Sequence, residues 1–367
     1  MKIRFYHFLA LCIFSCMPLV GSMAQVHEQY MFKHLSTKDG LSHNQVNCIF
    51  KDSRGFMWIA TAGGLNRFDG CNFKVFRHND NNAHSLPDDF IENIQEDAEG
   101  NLWVETASGY AVYDPIKGNF NCQLETILKQ KFGINRQPAL IYIDPDKNFW
   151  IYTTGVGTVQ YQIKTGKLID YPQTKRIADI RAFGSEATLL FTDGTLQRVD
   201  RNSSKVIATD TQLTTQQPLI SEKYSLFIDH KGNHWVYTKS ATGLWYYNHK
   251  AQTWSWLSNS TSSHPYRLSS NVILSVTEDR NKNIWIATDH GGIDIIDKET
   301  GLLTNLQNNP LDERSLANNS SNCIYCDGQG ILWIGTYKKG VSYYSESIFK
   351  FGVEHLTQFK HIKNFDG

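Results

Sequence analysis

The chain has 367 residues, 41% of them hydrophobic and 13% aromatic, enough to bury a large core and too apolar for a disordered polymer. Lysine plus arginine equal aspartate plus glutamate at 36 each, so no net field steers the protein toward nucleic acid or an anionic membrane surface. This length does not force two domains, because barrels and propellers run past the usual size of one.

At the N-terminus Lys2 and Arg4 precede an apolar run from Phe8 to Val20, followed by Gly21-Ser22-Met23-Ala24. That is the pattern of a secretory signal, and the run is shorter than a membrane span requires. Small residues at Ser22 and Ala24 suit a signal peptidase and predict cleavage after Ala24. An uncleaved anchor is opposed by Pro18 and Gly21, and lipidation at Cys16 by the bulky Phe14 before it. Export leaves Cys48, Cys71, Cys122, Cys323 and Cys326, an odd set that implies no disulfide framework. Cys323-x-x-Cys326 has no second pair or histidine cluster beside it, which falls short of a zinc site; a redox dithiol is the sharper alternative.

One repeat then organises the chain. Asp52-Ser53-Arg54-Gly55-Phe56-Met57-Trp58-Ile59-Ala60-Thr61 matches Asp327-Gly328-Gln329-Gly330-Ile331-Leu332-Trp333-Ile334-Gly335-Thr336 position for position. The same frame carries Trp103, Trp150, Trp235 and Trp285, each six residues after an aspartate, giving six clear copies. The tryptophans recur roughly every 45 residues, except that Trp150 and Trp235 are almost twice as far apart, so a seventh unit is predicted between them with Leu189 in the tryptophan slot. Each unit reads as four short strands, with a tight turn at Asp52-x-x-Gly55 and another at Gly63-Gly64. The pattern predicts an all-β fold, a seven-bladed β-propeller of four-stranded antiparallel blades. Phe32-Lys33-His34-Leu35 resembles the fourth strand Phe73-Lys74-Val75-Phe76, whereas the last unit supplies three strands by Tyr344. The N-terminal strand is therefore expected to complete the last blade and lock the ring.

One tryptophan per unit at a fixed strand position is the spacing of core residues, so Trp58, Trp103, Trp150, Trp235, Trp285 and Trp333 are assigned to packing between blades. Cys48 and Cys323 share a repeat position and are expected to fill small buried slots. The turn aspartates lack the alternating oxygens of a calcium loop, and the 13 histidines are scattered without a ligating pair, so no metal and no cofactor is predicted. No nucleophile elbow, phosphate loop or recurrent carboxylate pair points to catalysis. The loops that vary are the connection after each fourth strand and the turn between the second and third strands, which share one face. They carry Arg77, His78, Asn79 and Asp80, then Tyr110, then Tyr266 and Arg267. Further along come Asp289 and His290, Arg314, and Tyr337, Lys338 and Lys339. Aromatics mixed with amides and charges suit a polar ligand such as an oligosaccharide. Trp245-Tyr246-Tyr247 with Trp254 and Trp256 is either an exposed aromatic patch or cross-strand packing in the fifth blade.

The units at Asp52 and Asp327, with Gly40-Leu41-Ser42-His43-Asn44-x-Val46 before the first, resemble the two-component-regulator propeller repeat. The resemblance spans nearly all of the chain after the signal. It implies the periplasmic sensor region of a hybrid two-component sensor histidine kinase of the polysaccharide-utilisation type, with an oligosaccharide ligand and a homodimer through the full-length sensor. The kinase core has no recognisable counterpart in this chain, so the chain itself is expected not to be an enzyme, and membrane attachment would lie in downstream segments. The organisation expected is a signal peptide at 1–24, a propeller sensor domain at 25–350 and a tail at 351–367 leading into a following domain. The alternatives are an exported propeller enzyme, a lyase or glycosidase, or a stand-alone binding or scaffold module.

Overall fold

The computed structural model describes residues 30–216, 223–260 and 266–345; the expected signal peptide, its cleavage point and the tail from 351 lie outside these residues. Seven four-stranded antiparallel sheets are present, six of them meandering in sequence order. Blades 1 to 6 occupy residues 46–76, 91–121, 140–171, 177–210, 225–257 and 273–306. Blade 7 joins 321–344 to the strand Lys33–Leu35, whose partners are Tyr343, Ser342 and Val341. The expected closure is thus the observed one. It is reinforced by Phe32 N–H donating to the Arg314 carbonyl at 2.7 Å and by Lys51 Nζ reaching Asp327 at 2.9 Å from blade 1 to blade 7.

The repeat has a physical reason. In six blades the turn aspartate uses one oxygen to accept backbone N–H groups of its own turn, and the other to accept the indole N–H of the tryptophan six residues on. In blade 1 these are Arg54 N and Phe56 N at 3.0 and 2.9 Å and Trp58 Nε1 at 2.8 Å. A large ring can then be buried, 0 to 7% exposed across the six, without leaving its polar atom unpaired. Blade 4 breaks the rule as the spacing predicted: Leu189 fills the slot, and the turn shrinks to Gly184-Ser185. Arg201 of blade 4 reaches back to the Asp144 carboxylate of blade 3 at 2.6 Å and also donates to the Gly184 carbonyl at 2.7 Å.

Two features were not anticipated. A helix, Leu124–Phe132, sits in the connection from blade 2 to blade 3, capped by Gly133 at φ 70° and burying Leu128 and Phe132. A shorter one, Gln212–Gln216, lies in the connection out of blade 4 and buries Leu213.

Candidate functional site

The face carrying the inter-blade connections is framed by one recurring tie. At the turn between second and third strands, a glycine N–H donates to the carbonyl of an Asp or Asn in the lead-in to the next blade. The pairs are Gly64 with Asp89, Gly243 with Asn271, Gly292 with Asn319 and Gly340 with Asn44, at 2.8 to 2.9 Å. The same Asp or Asn side chain accepts a backbone N–H from its own connection: His78 at 2.7 Å, Asn259 at 2.7 Å, Asn308 at 2.6 Å and Thr37 at 2.9 Å. Glycine is required at Gly292 and Gly340, at φ 78°, because a Cβ there would collide with the Leu306 and Leu35 carbonyls. Each lead-in also plugs a leucine into the core: Leu41, Leu86, Leu268 and Leu316.

Between blades 5, 6 and 7 this frame encloses a depression of about 710 Å³. Its walls are the inner turns carrying Lys239, then Asp289 with His290, then Tyr337 with Lys338 and Lys339. The connection from blade 6 to blade 7 adds Asn308, Asn318, Asn319 and Ser320, and the floor is made by Val272, Leu274 and Asn322. The floor has a specific origin. The first strands of blades 6 and 7 skip register between Ile273 and Ser275 and between Ser321 and Cys323, so Leu274 and Asn322 have no cross-strand partner. A bulge re-aims such a residue, and here both line the depression.

The walls are polar and only partly engaged. Asn318 and Asn319 use their Oδ1 atoms to accept Ser320 N and Asn308 N at 2.7 and 2.6 Å, which leaves each Nδ2 without a protein acceptor among the described residues. Asp289, the one carboxylate among the lining residues, lies 3.0 Å from His290 Nδ1 rather than on a lysine. Tyr337 is 46% exposed, with the Lys338 ammonium 5.2 Å from its ring centre.

Of the residues singled out from sequence, Asp289, His290, Tyr337, Lys338 and Lys339 meet in this depression; the others do not. Arg77 is exposed at the far junction. His78 is held inside its own loop by the Leu86 carbonyl at 2.7 Å and Asp80 at 2.9 Å, which raise its imidazole pKa. Tyr110 lies in a strand of blade 2, packs into the core shared with blade 3 and contacts Ile141 N–H through its hydroxyl at 3.4 Å. Burial and the Glu105 carboxylate hold its phenol far above the ordinary value, so it is packing rather than surface. Tyr266 packs against the core of blades 5 and 6, and burial raises its pKa. Arg267 donates to the Asn259 carbonyl at 2.8 Å, and Arg314 to Asp312 at 3.4 Å.

Sequence reasoning missed Lys239, the asparagines and the bulge residues. A signal for the bulges existed: buried residues three apart in a first strand, as in Ile273-x-x-Val276, break the two-residue alternation of a regular strand. The aromatic cluster of blade 5 resolves as cross-strand packing, Trp245 opposite Trp256 and Tyr247 opposite Trp254, with Trp254 Nε1 donating to Asp210 at 2.7 Å. Cys323 and Cys326 lie three apart in one strand, hence on opposite faces of the sheet, which rules out a dithiol pair there. Burial raises Cys48 and Cys326 to about 11 and Cys323 further, so all three are poor nucleophiles.

A second, smaller cavity of about 160 Å³ opens on the opposite face between blades 4 and 5, lined by Glu186, Thr188, His234 and His249 among others. His234 bonds Thr188 Oγ1 through Nε2 at 2.8 Å while Nδ1 has no partner. Burial, with help from His249 and Arg198, lowers its pKa to about 3. Among the described residues no cluster of three or more histidine, cysteine or carboxylate side chains could hold a metal ion.

A closed ring of seven four-stranded sheets with the aspartate–tryptophan repeat places the chain in the class of seven-bladed β-propellers. Within that class, the family model for the two-component regulator propeller matches residues 40–63, 267–290 and 315–338. Those three of the seven repeats are two-component-regulator propeller repeats. A 68-residue segment is 37% identical to Histidine kinase P4 of Formosa agariphila, covering 18% of this chain and 5% of that kinase. The extracellular domain of a hybrid two-component system from B. thetaiotaomicron superposes with a TM-score of 0.65 at 22% identity, over 86% of this chain and 42% of that one. Virginiamycin B lyase from Staphylococcus aureus superposes with a TM-score of 0.55 at 12% identity, over 86% of this chain and 98% of the lyase. At these identities the two superpositions show the fold alone. No helix among the described residues is long and apolar enough to cross a membrane.

Proposed function

We propose that this chain is the extracytoplasmic ligand-sensing propeller of a two-component signalling system and that it recognises an oligosaccharide in the depression between blades 5, 6 and 7. The observation that carries this reading is the depression itself. It is rimmed by four connections, lined by two bulge residues and supplied with the free Nδ2 donors of Asn318 and Asn319 and an exposed tyrosine. Sugar recognition needs just these groups: planar amides that pair with vicinal hydroxyls, an aromatic ring for a pyranose face, and a volume of roughly 300–1,000 Å³. The likeness to the extracellular domain of a hybrid two-component system supports the signalling context, and the secretory pattern at Lys2 to Ala24 supports export to the periplasm. Occupancy of the depression would bias how the propeller sits against the rest of a longer receptor, itself a dimer, so the output is a shift between states rather than chemistry. Calorimetry of the purified chain against a panel of oligosaccharides tests the reading, with heat and a rise in melting temperature expected for at least one member. Silence across the panel contradicts it. The likeness to a lyase favours a second reading, an exported propeller enzyme, and turnover of any panel member would replace the sensor account with that one.

A further inference from the structure

Three lysines stand around the depression without a carboxylate partner among the described residues: Lys239 from blade 5, and Lys338 and Lys339 from blade 7. Seven other described lysines are paired with carboxylates. Lys51, Lys131, Lys147 and Lys298 each lie within 4.0 Å of a turn or strand carboxylate and tie blades together. Lys117, Lys175 and Lys282 pair at the surface with carboxylates of their own repeat units. In a chain with equal numbers of acidic and basic residues, three unpaired ammonium groups on one concavity form a local excess of positive charge. Asp289 does not cancel it, since its carboxylate contacts His290. Glu92 and Glu105 of blade 2, and Asp312 and Glu313 of the blade 6 to 7 connection, are not among the lining residues.

From this arrangement we infer that the depression takes an anionic oligosaccharide, one whose sugar units carry carboxylate or sulfate groups. Lys239 and the Lys338–Lys339 pair hold the charged groups from opposite sides, and the carboxamides of Asn318 and Asn319 read the hydroxyls between them. The inference rests on the reading of the depression as a sugar site and narrows it. An acidic peptide shares the charge but not the vicinal hydroxyls that the adjacent free Nδ2 donors of Asn318 and Asn319 can pair with.

The test is calorimetry of the purified chain with oligosaccharides of equal length in four arms: neutral, uronate-bearing, sulfated, and an aspartate-rich peptide. Each arm is run at low and at high salt. One of the two charged glycan arms is expected to bind at least about tenfold tighter than the neutral one, to weaken as salt rises, and to outcompete the peptide. The combined Lys239→Gln, Lys338→Gln, Lys339→Gln variant should lose that preference while melting at the wild-type temperature, because all three side chains are exposed. Neutral glycan binding as tightly as charged glycan, with no salt dependence, overturns the anionic assignment and leaves the sugar site standing. Peptide binding equal to glycan binding overturns the sugar assignment, and binding by no arm overturns both.

Discussion

The ring has two unlike arcs. From blade 5 through blades 6, 7 and 1 to blade 2, every junction repeats the glycine-to-Asp/Asn tie and the buried lead-in leucine, and first strands of blades 6, 7, 1 and 2 carry a bulge at the same place. From blade 2 through blades 3 and 4 to blade 5, a helix with Leu128 or a short helix with Leu213 stands in the connections instead, and blade 4, although its first strand is bulged between Ile177 and Asp179 as well, has lost both aspartate and tryptophan. The family-model matches fall at the lead-ins to blades 1, 6 and 7, all in the regular arc, and so does the depression. The lesson is that regularity here builds the site. Identical ties at consecutive junctions fix successive inner turns to the next lead-in, and the equivalent bulges of blades 6 and 7 bring Leu274 and Asn322 to the depression.

The comparison can be broken most severely at the repeat's own hydrogen bonds. Asp279→Ala removes the acceptor for Trp285 Nε1, Asn283 N and Asn283 Nδ2, held at 2.8, 2.8 and 3.1 Å, and should cost about 3 to 5 kcal/mol in denaturant unfolding. In the irregular arc, Arg201→Leu removes a partner of Asp144, but Trp150 and Asn148 still bond that carboxylate at 3.0 and 2.9 Å, so about 1 to 2 kcal/mol is expected. Equal losses would mean that the two arcs are not built differently.

The irregular arc should also show its own pH response. His234 is 3% exposed with a folded pKa of about 3, against an ordinary value of 6.5. Between these values the unfolded chain binds a proton that the folded one does not, so stability falls as pH drops below about 6.5, by ~1.4 kcal/mol per pH unit. Of the groups around it, Arg198 and His249 oppose an imidazolium, and the Asp229 carboxylate, which favours one, is the weakest of these influences. Thermal melts from pH 6.5 to 4.5 should therefore be flatter for His234→Gln than for the wild type; parallel curves would contradict the burial argument.

The smallest difference concerns two turn glycines. Gly292→Ala forces a Cβ into the Leu306 carbonyl at positive φ, while Gly155→Ala, at φ 74°, meets nothing within 4 Å. About 2 to 3 kcal/mol is expected for the first and about 1 kcal/mol for the second, read as shifts in unfolding midpoint.

Much of this was legible in the residues. The aspartate-to-tryptophan spacing, the double interval around Leu189 and the orphan strand at Phe32 to Leu35 are local patterns, and local patterns repeated seven times fix a ring. The site was half legible. The turns of blades 6 and 7 can be picked out because they vary between repeats, and Asp289, His290, Tyr337, Lys338 and Lys339 from those turns line the depression. Tyr110 was misplaced because strand alternation decides whether a turn-flanking tyrosine faces the loop side or the next blade, and its hydroxyl sits by Ile141. Arg77, His78, Tyr266, Arg267 and Arg314 have the right chemistry in loops whose three-dimensional neighbours are not written in sequence. Lys239 and Asn322 come from different blades and meet only through curvature of the ring.

Hydrogen exchange of the chain with and without a saturating oligosaccharide addresses the main point most directly. The account predicts protection at the turns around Lys239, at 289–290, across 308–322 and at 337–339, with the helical connections at 124–132 and 212–216 unchanged. Protection centred on those helical connections, or on the small cavity at His234 and His249, would place the binding surface on the other arc and contradict it.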